Sequence, residues 1–133
     1  DHYPNVEEAF YEELYGKKIE DLDLEETQLR DQTPYIIWTN YESESVQENM
    51  SANYLGAYIL EKAGLSMSKY DKFLLQLKKE IPIIGMGAIE DNNGKWFDMN
   101  SLPQKYAELI NNYKILQYNK IKDRKNICKG IFS

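Results

Sequence analysis

The chain has 133 residues, a net charge of −6, 42% hydrophobic residues and 11 tyrosines, enough apolar material for one packed domain and too much for a disordered or fibrous chain. It contains no apolar run near the ~18 residues that a membrane-crossing helix needs. Its single cysteine, Cys128, rules out an internal disulfide and a zinc site built from several thiolates.

Charge is unevenly spread. Residues 1–48 hold 14 acidic and 3 basic side chains, and residues 101–133 hold 2 acidic and 7 basic ones. Nucleic acid is not an expected partner of the acidic third, because phosphate neutralisation needs Lys and Arg. The basic tail "NKIKDRKNICKG" has the charge to touch phosphates or an anionic membrane surface, but termini tend to be disordered, so a solvated, partly frayed end is expected there.

In chain order, Asn5 with Glu8 three residues on reads as a capping box, and Gly16 suits the end of the helix it starts. Val6, Phe10 and Leu14 fall four apart and predict its buried face. Residues 17–33 read as a polar connection with Leu22, Leu24 and Leu29 as anchors and room for another helical turn. In "TPYIIWTNYE", Pro34 opens a β-branched and aromatic run that predicts a buried strand over 35–40. Glu42, Glu44 and Glu48 come next in a polar loop; calcium is the one ion such a cluster suits, and a solvated role is the simpler one.

Ser51 reads as the cap of a helix ended by Gly64, with Leu55, Tyr58, Ile59 and Ala63 buried. Ser68 and Asp71 predict the next capping box, and Phe73, Leu74 and Leu77 the stripe that Pro82 ends. From Ile81 the period changes. "IPIIGMGAI", the Asn-Gly signal of "EDNNG" and "KWFDM" predict a hairpin, with Gly85 and Gly87 relieving a bent strand and Trp96 half-buried beside the turn. Ser101 and Pro103 then open a last helix, with Leu102, Tyr106, Leu109, Ile110, Tyr113 and Leu116 at helical spacing.

Little here forms a catalytic constellation. No serine lies in a Gly-x-Ser-x-Gly elbow, and the glycines lack phosphate-loop context. That leaves Asp1 and His2: a carboxylate and an imidazole side by side can share one divalent ion where the backbone turns, and Pro4 favours such a turn. As a dipeptide the signal is weak.

"DHYP", "TPYIIWTNYE", "SANYLGAYILEKAGLSMSKYDKFLLQLKKEIPII" and "NYKILQYNKIKDRK", in that order over residues 1–125, resemble the C-terminal part of the lipoteichoic acid synthase-like phosphoglycerol transferases and sulfatase-like enzymes of the alkaline phosphatase superfamily. The resemblance implies an α/β fold, the C-terminal fragment of an alkaline-phosphatase-like α/β/α sandwich. Residues 1–79 would close the α/β catalytic core, and residues 80–133 would form an appended β-hairpin and terminal helix. In that family a Gly-Asp-His triplet ligates the catalytic manganese, magnesium or zinc; Asp1 and His2 match its last two letters, and the glycine would fall just before them. The resemblance further implies a threonine nucleophile and other ligands outside this chain, so that the chain alone would be inactive. Its expected partners are the remainder of its own catalytic domain and a phosphatidylglycerol-like lipid or polyglycerolphosphate, at the extracellular face of a bacterial membrane. A piece without its neighbouring strands is expected to self-associate. The alternative is a non-enzymatic extracellular interaction or glycan-binding module, with Trp96 and tyrosines stacking on sugars.

Overall fold

The structure is a computed structural model and describes residues 6–41 and 44–133. It is a mixed α/β fold in which helices surround one small antiparallel sheet. In chain order come α1 (Glu8–Tyr15), a 3-10 turn (Ile19–Asp21), α2 (Leu24–Leu29), α3 (Ala52–Lys62), α4 (Lys69–Glu80), β1 (Ile83–Ile84), β2 (Ala88–Glu90), β3 (Trp96–Asp98), α5 (Gln104–Ile121), a second 3-10 turn (Arg124–Asn126) and α6 (Lys129–Phe132).

The core lies among α3, α4, the sheet and α5. The expected capping box starts α4: Ser68 Oγ accepts from Asp71 N at 3.1 Å, and the Asp71 carboxylate accepts from Ser68 N at 3.0 Å. Tyr70, Leu74 and Leu77 then bury one face, and Ile81, fully enclosed, ends the helix before Pro82. Against it α3 packs Tyr54, Ala57 and Tyr58. Only Tyr58 belongs to the face expected from sequence; Ile59 and Ala63 are exposed. The helix is rotated toward Tyr54, whose ring is fully buried and whose hydroxyl is satisfied by donating to Ile81 O at 2.9 Å.

Ser51 holds the N-cap position of α3 as expected, and its carbonyl accepts from Tyr54 N at 3.0 Å, but its side chain makes no cap hydrogen bond. Its hydroxyl accepts from Ile84 N at 2.6 Å and donates to Ile84 O at 3.1 Å, while Ser51 N donates to Pro82 O at 3.1 Å. One residue thus serves the free edge of β1 as a strand would.

The hairpin is present, with β1 added to it in the order β1-β2-β3. Its turn differs from the two-residue Asn-Gly type. Gly94 N donates to Asp91 O and Asp91 N to Lys95 O, each at 3.0 Å, with Gly94 alone at positive φ (76°). This is a three-residue loop with a glycine bulge. Between β1 and β2, Gly87 turns the chain at φ 91°. Gly85 answers a different need: a Cβ there would stand 2.0 Å from Gln28 Oε1, so its absence admits the buried Gln28 of α2, whose amide donates to Met86 O at 3.3 Å.

Helix α5 buries Tyr106, Ile110 and Tyr113 as its spacing predicts, with Leu102, Leu109 and Leu116 partly covered. Pro103 occupies the cap position in place of Ser101, whose N–H closes the preceding turn onto Asp98 O at 3.0 Å. The tail is not frayed. Asn119 stitches it, donating to Asn126 O at 3.1 Å and accepting from Cys128 N at 3.0 Å, and α6 packs Phe132 5.1 Å from the Tyr70 ring. Burial of Ile131 and Phe132 against the core offsets the entropy of ordering the end.

Two expectations near the N-terminus fail for one reason. Helix α1 forms and ends at Gly16 in the left-handed conformation, but Phe10 and Leu14 are exposed and Tyr11 is the buried residue, under the Arg30 guanidinium at 4.8 Å. Its cap is Glu7; the expected cap, Asn5, lies outside the described residues. The strand expected over 35–40 is absent: Ile36 is 92% and Trp38 81% exposed, and no ladder reaches them. In both places the apolar face exists and nothing described packs on it.

Candidate functional site

Asp1 and His2, the metal ligands expected from sequence, lie outside the described residues, as does Glu42. The rest of that acidic cluster is not assembled. Glu44 is exposed, whereas Glu48 turns inward and is bound by the Lys78 ammonium. Among the described residues no group of three or more His, Cys, Asp or Glu side chains gathers in a way that would hold a metal ion.

An open groove of about 1690 Å³ lies between residues 33–41 and 44–50 and the surface made by α3 and β1. Its lining includes the rings of Tyr35, Trp38 and Tyr41 on the segment, Tyr58 of α3 and Trp96 of β3. Trp96 is half-buried, as expected. Two attachments hold the segment to the core, and a third contact, from Tyr35, closes it on itself. The Tyr35 hydroxyl donates to Glu48 O at 2.7 Å, the Tyr41 hydroxyl donates to Lys62 O at 2.9 Å, and the Glu48 carboxylate takes Lys78.

Around Glu48 the charges are balanced closely. Burial would raise its pKa, but the Lys78 ammonium and the Tyr58 hydroxyl hold it below the usual carboxylate range. Lys78 and Lys62 also stand 4.8 and 5.2 Å from the Tyr58 ring centre, where the ring face favours cations. Tyr58 and Tyr35 are both shifted upward, by burial first and then by Glu48, so neither hydroxyl is a base at neutral pH. The cluster fastens the segment to the core; it has no nucleophile beside a base. Sequence reasoning missed it, since Glu48, Tyr58 and Lys78 come from three elements and share no motif.

A smaller cleft of about 480 Å³ lies where α3, α4 and α5 meet. Asn53 Nδ2 is buried there without an acceptor in hydrogen-bond geometry, although its amide is close enough to lower the hydroxyls of Tyr54 and Tyr113. Burial outweighs that effect, and Tyr70 beside them is pushed up to about 12, by burial foremost. Gln117 donates to the Tyr113 hydroxyl at 2.6 Å, and Lys120 stands 4.5 Å from the Tyr70 ring centre. These contacts tie three helices together.

Compared with models of known families, with curated proteins and with solved structures, the chain gives no match. Among the described residues no helix is long and apolar enough to cross a membrane.

Proposed function

We propose that this chain is the C-terminal portion of a metal-dependent phosphoglycerol transferase, or of a sulfatase-like hydrolase of the same superfamily, acting on phosphoesters of cell-envelope lipids or glycans. The observation that carries the reading is the stretch from Tyr35 to Trp38. It has the composition of a central strand, belongs to the second of four ordered motifs that resemble that family, and is exposed with no ladder partner among the described residues. A central strand set apart from its sheet would look so. On this reading residues 1–79 close an α/β/α core, residues 80–133 form the appended hairpin-plus-helix unit, and the sheet that Tyr35–Trp38 would join belongs to the remainder of the catalytic domain. Without it, the same edge favours self-association of the chain.

Asp1 and His2 are then the ligands this chain contributes to a divalent ion, manganese, magnesium or zinc. The ion supplies Lewis-acid activation of a hydroxyl nucleophile and offsets charge on the transferred phosphoryl group. The carboxylate brings negative charge and the neutral imidazole a nitrogen donor, a set that suits such ions. By itself the chain would be inactive, and in the longer protein it would work at the extracellular face of the membrane. Turnover of a phosphatidylglycerol analogue by a longer protein containing these residues is the test. Asp1→Ala and His2→Ala should each lower the rate at least a hundredfold with the melting temperature unchanged; wild-type rates in both variants would remove the assignment.

A second reading, a glycan-binding module, has the exposed Trp38 and the ring-lined groove in its favour. Saturable binding of an envelope glycan by the chain, abolished by Trp38→Ala, would favour it over the first.

A further inference from the structure

Helix α5 buries one face through Tyr106, Ile110 and Tyr113, and its C-terminal half carries on the other face a pattern that its packing does not require. Ile115, Tyr118 and Ile121 recur every three residues and are 56%, 64% and 56% exposed, with Ile121 at the margin of this face that borders the cleft between α3, α4 and α5. Lys114 and Lys122 flank them on the same side, four residues from Tyr118. Among the described residues neither lysine pairs with a carboxylate. A face exposed only for solubility would carry polar side chains between its lysines; this one has two isoleucines and a tyrosine.

We infer that this outer face of α5 docks on an anionic membrane surface. Charge complementarity names the partner: residues 101–133 hold 7 basic and 2 acidic side chains in a chain whose net charge is −6, so this end is drawn to a negative headgroup layer while the acidic third is repelled by it. The apolar side chains decide between that layer and a nucleic acid. Isoleucines gain nothing from phosphodiester contacts but gain by entering the headgroup–acyl boundary, where a tyrosine ring with its hydroxyl toward water is also well placed. The face spans about 12 Å of helix on a helix already fixed to the core, so binding does not require the segment to fold first. The inference stands apart from the metal-site reading, because it uses neither Asp1 nor His2.

Vesicle co-sedimentation of the full chain in the presence of EDTA tests it without contribution from a metal. Vesicles containing phosphatidylglycerol and, separately, phosphatidylserine should bind the chain at least tenfold better than pure phosphatidylcholine, with the advantage lost in high salt. With each lysine near such a surface contributing a factor of about five, Lys114→Glu with Lys122→Glu should lower binding about 25-fold or more. Ile115→Ser with Ile121→Ser should weaken it at unchanged charge, and circular dichroism of both variants should match the parent. Equal binding to neutral vesicles, no binding to either anionic kind, unchanged binding by either double variant, or binding of a single-stranded oligonucleotide in place of vesicles would overturn the proposal.

Discussion

Two stretches of this chain begin alike and end differently. "IPIIGMGAIE" and "TPYIIWTNYE" both place a proline before paired isoleucines, yet Ile83–Ile84 becomes strand β1 while Tyr35–Trp38 joins no strand and stays exposed. The cause lies downstream of each pair. After Ile84 the glycine at 87 reverses the chain and brings Ile89 and Glu90 back against it in register, and Ser51 covers the remaining edge. After Trp38 the chain runs on through "TNYESESVQEN", which offers no such return. β-branched and aromatic composition therefore states a demand for partners and does not supply them.

The largest effect separates the two stretches by stability. Leu77, 2% exposed in the core that supports β1, should lose about 2–5 kcal/mol as Leu77→Ala. Ile36→Ala removes as aliphatic a side chain from the other stretch and should change stability by less than about 0.5 kcal/mol, because Ile36 is already in water. Paired urea melts of the two variants measure this. Similar losses would mean that residues 35–38 are packed after all.

The same contrast marks how much the sequence disclosed. Elements whose signals are close in sequence were legible: the Ser68–Asp71 box, the hairpin and the Gly16 stop rest on contacts a few residues apart, and the spacing within α5 named the face it buries. What failed depended on distant partners. The face of α3 turned toward Tyr54, whose hydroxyl meets a carbonyl 27 residues away, the Ser51 hydroxyl went to β1 instead of its own helix, and the tail docked because Tyr70 receives Phe132. For the candidate metal ligands Asp1 and His2 the dipeptide held little information, and its weight came from the ordered resemblance alone.

A smaller effect should appear in the turn that lets the hairpin close. The Asp91 carboxylate, 5% exposed, accepts from Asn93 N at 2.9 Å, Lys95 N at 3.0 Å and the Tyr106 hydroxyl at 2.9 Å. Burial works to raise its pKa, and these donors reverse that and hold it below the ordinary value. A group depressed on folding stabilises fully above its unfolded pKa of about 4 and loses that contribution as the pH falls through the native value. Glu90 next to it is shifted the other way, by burial and then by Glu25 and Asp91, so its own contribution grows on acidification. Asp91→Asn isolates the first term. It should cost about 1–3 kcal/mol at pH 7 and progressively less toward pH 3 in urea melts, and a loss independent of pH would show that the carboxylate charge is not what the turn uses.

The smallest effect on stability should be the most informative about the second stretch, because it separates attachment from packing. Tyr41 and Glu48 hold residues 33–41 and 44–50 to α3 and α4 by polar contacts at a partly exposed surface, and the Tyr35 hydroxyl ties the two stretches together through Glu48 O. Such pairs contribute up to about 1 kcal/mol, so Glu48→Gln should barely move the melting curve. Local opening of the segment depends on those same contacts, and chymotrypsin cleavage after Tyr35, Trp38 or Tyr41 should accelerate several-fold. A melting curve lowered as far as that of Leu77→Ala would place Glu48 among the supports of the core. Unchanged cleavage would mean that the two tyrosine hydroxyls hold the segment without help from the carboxylate.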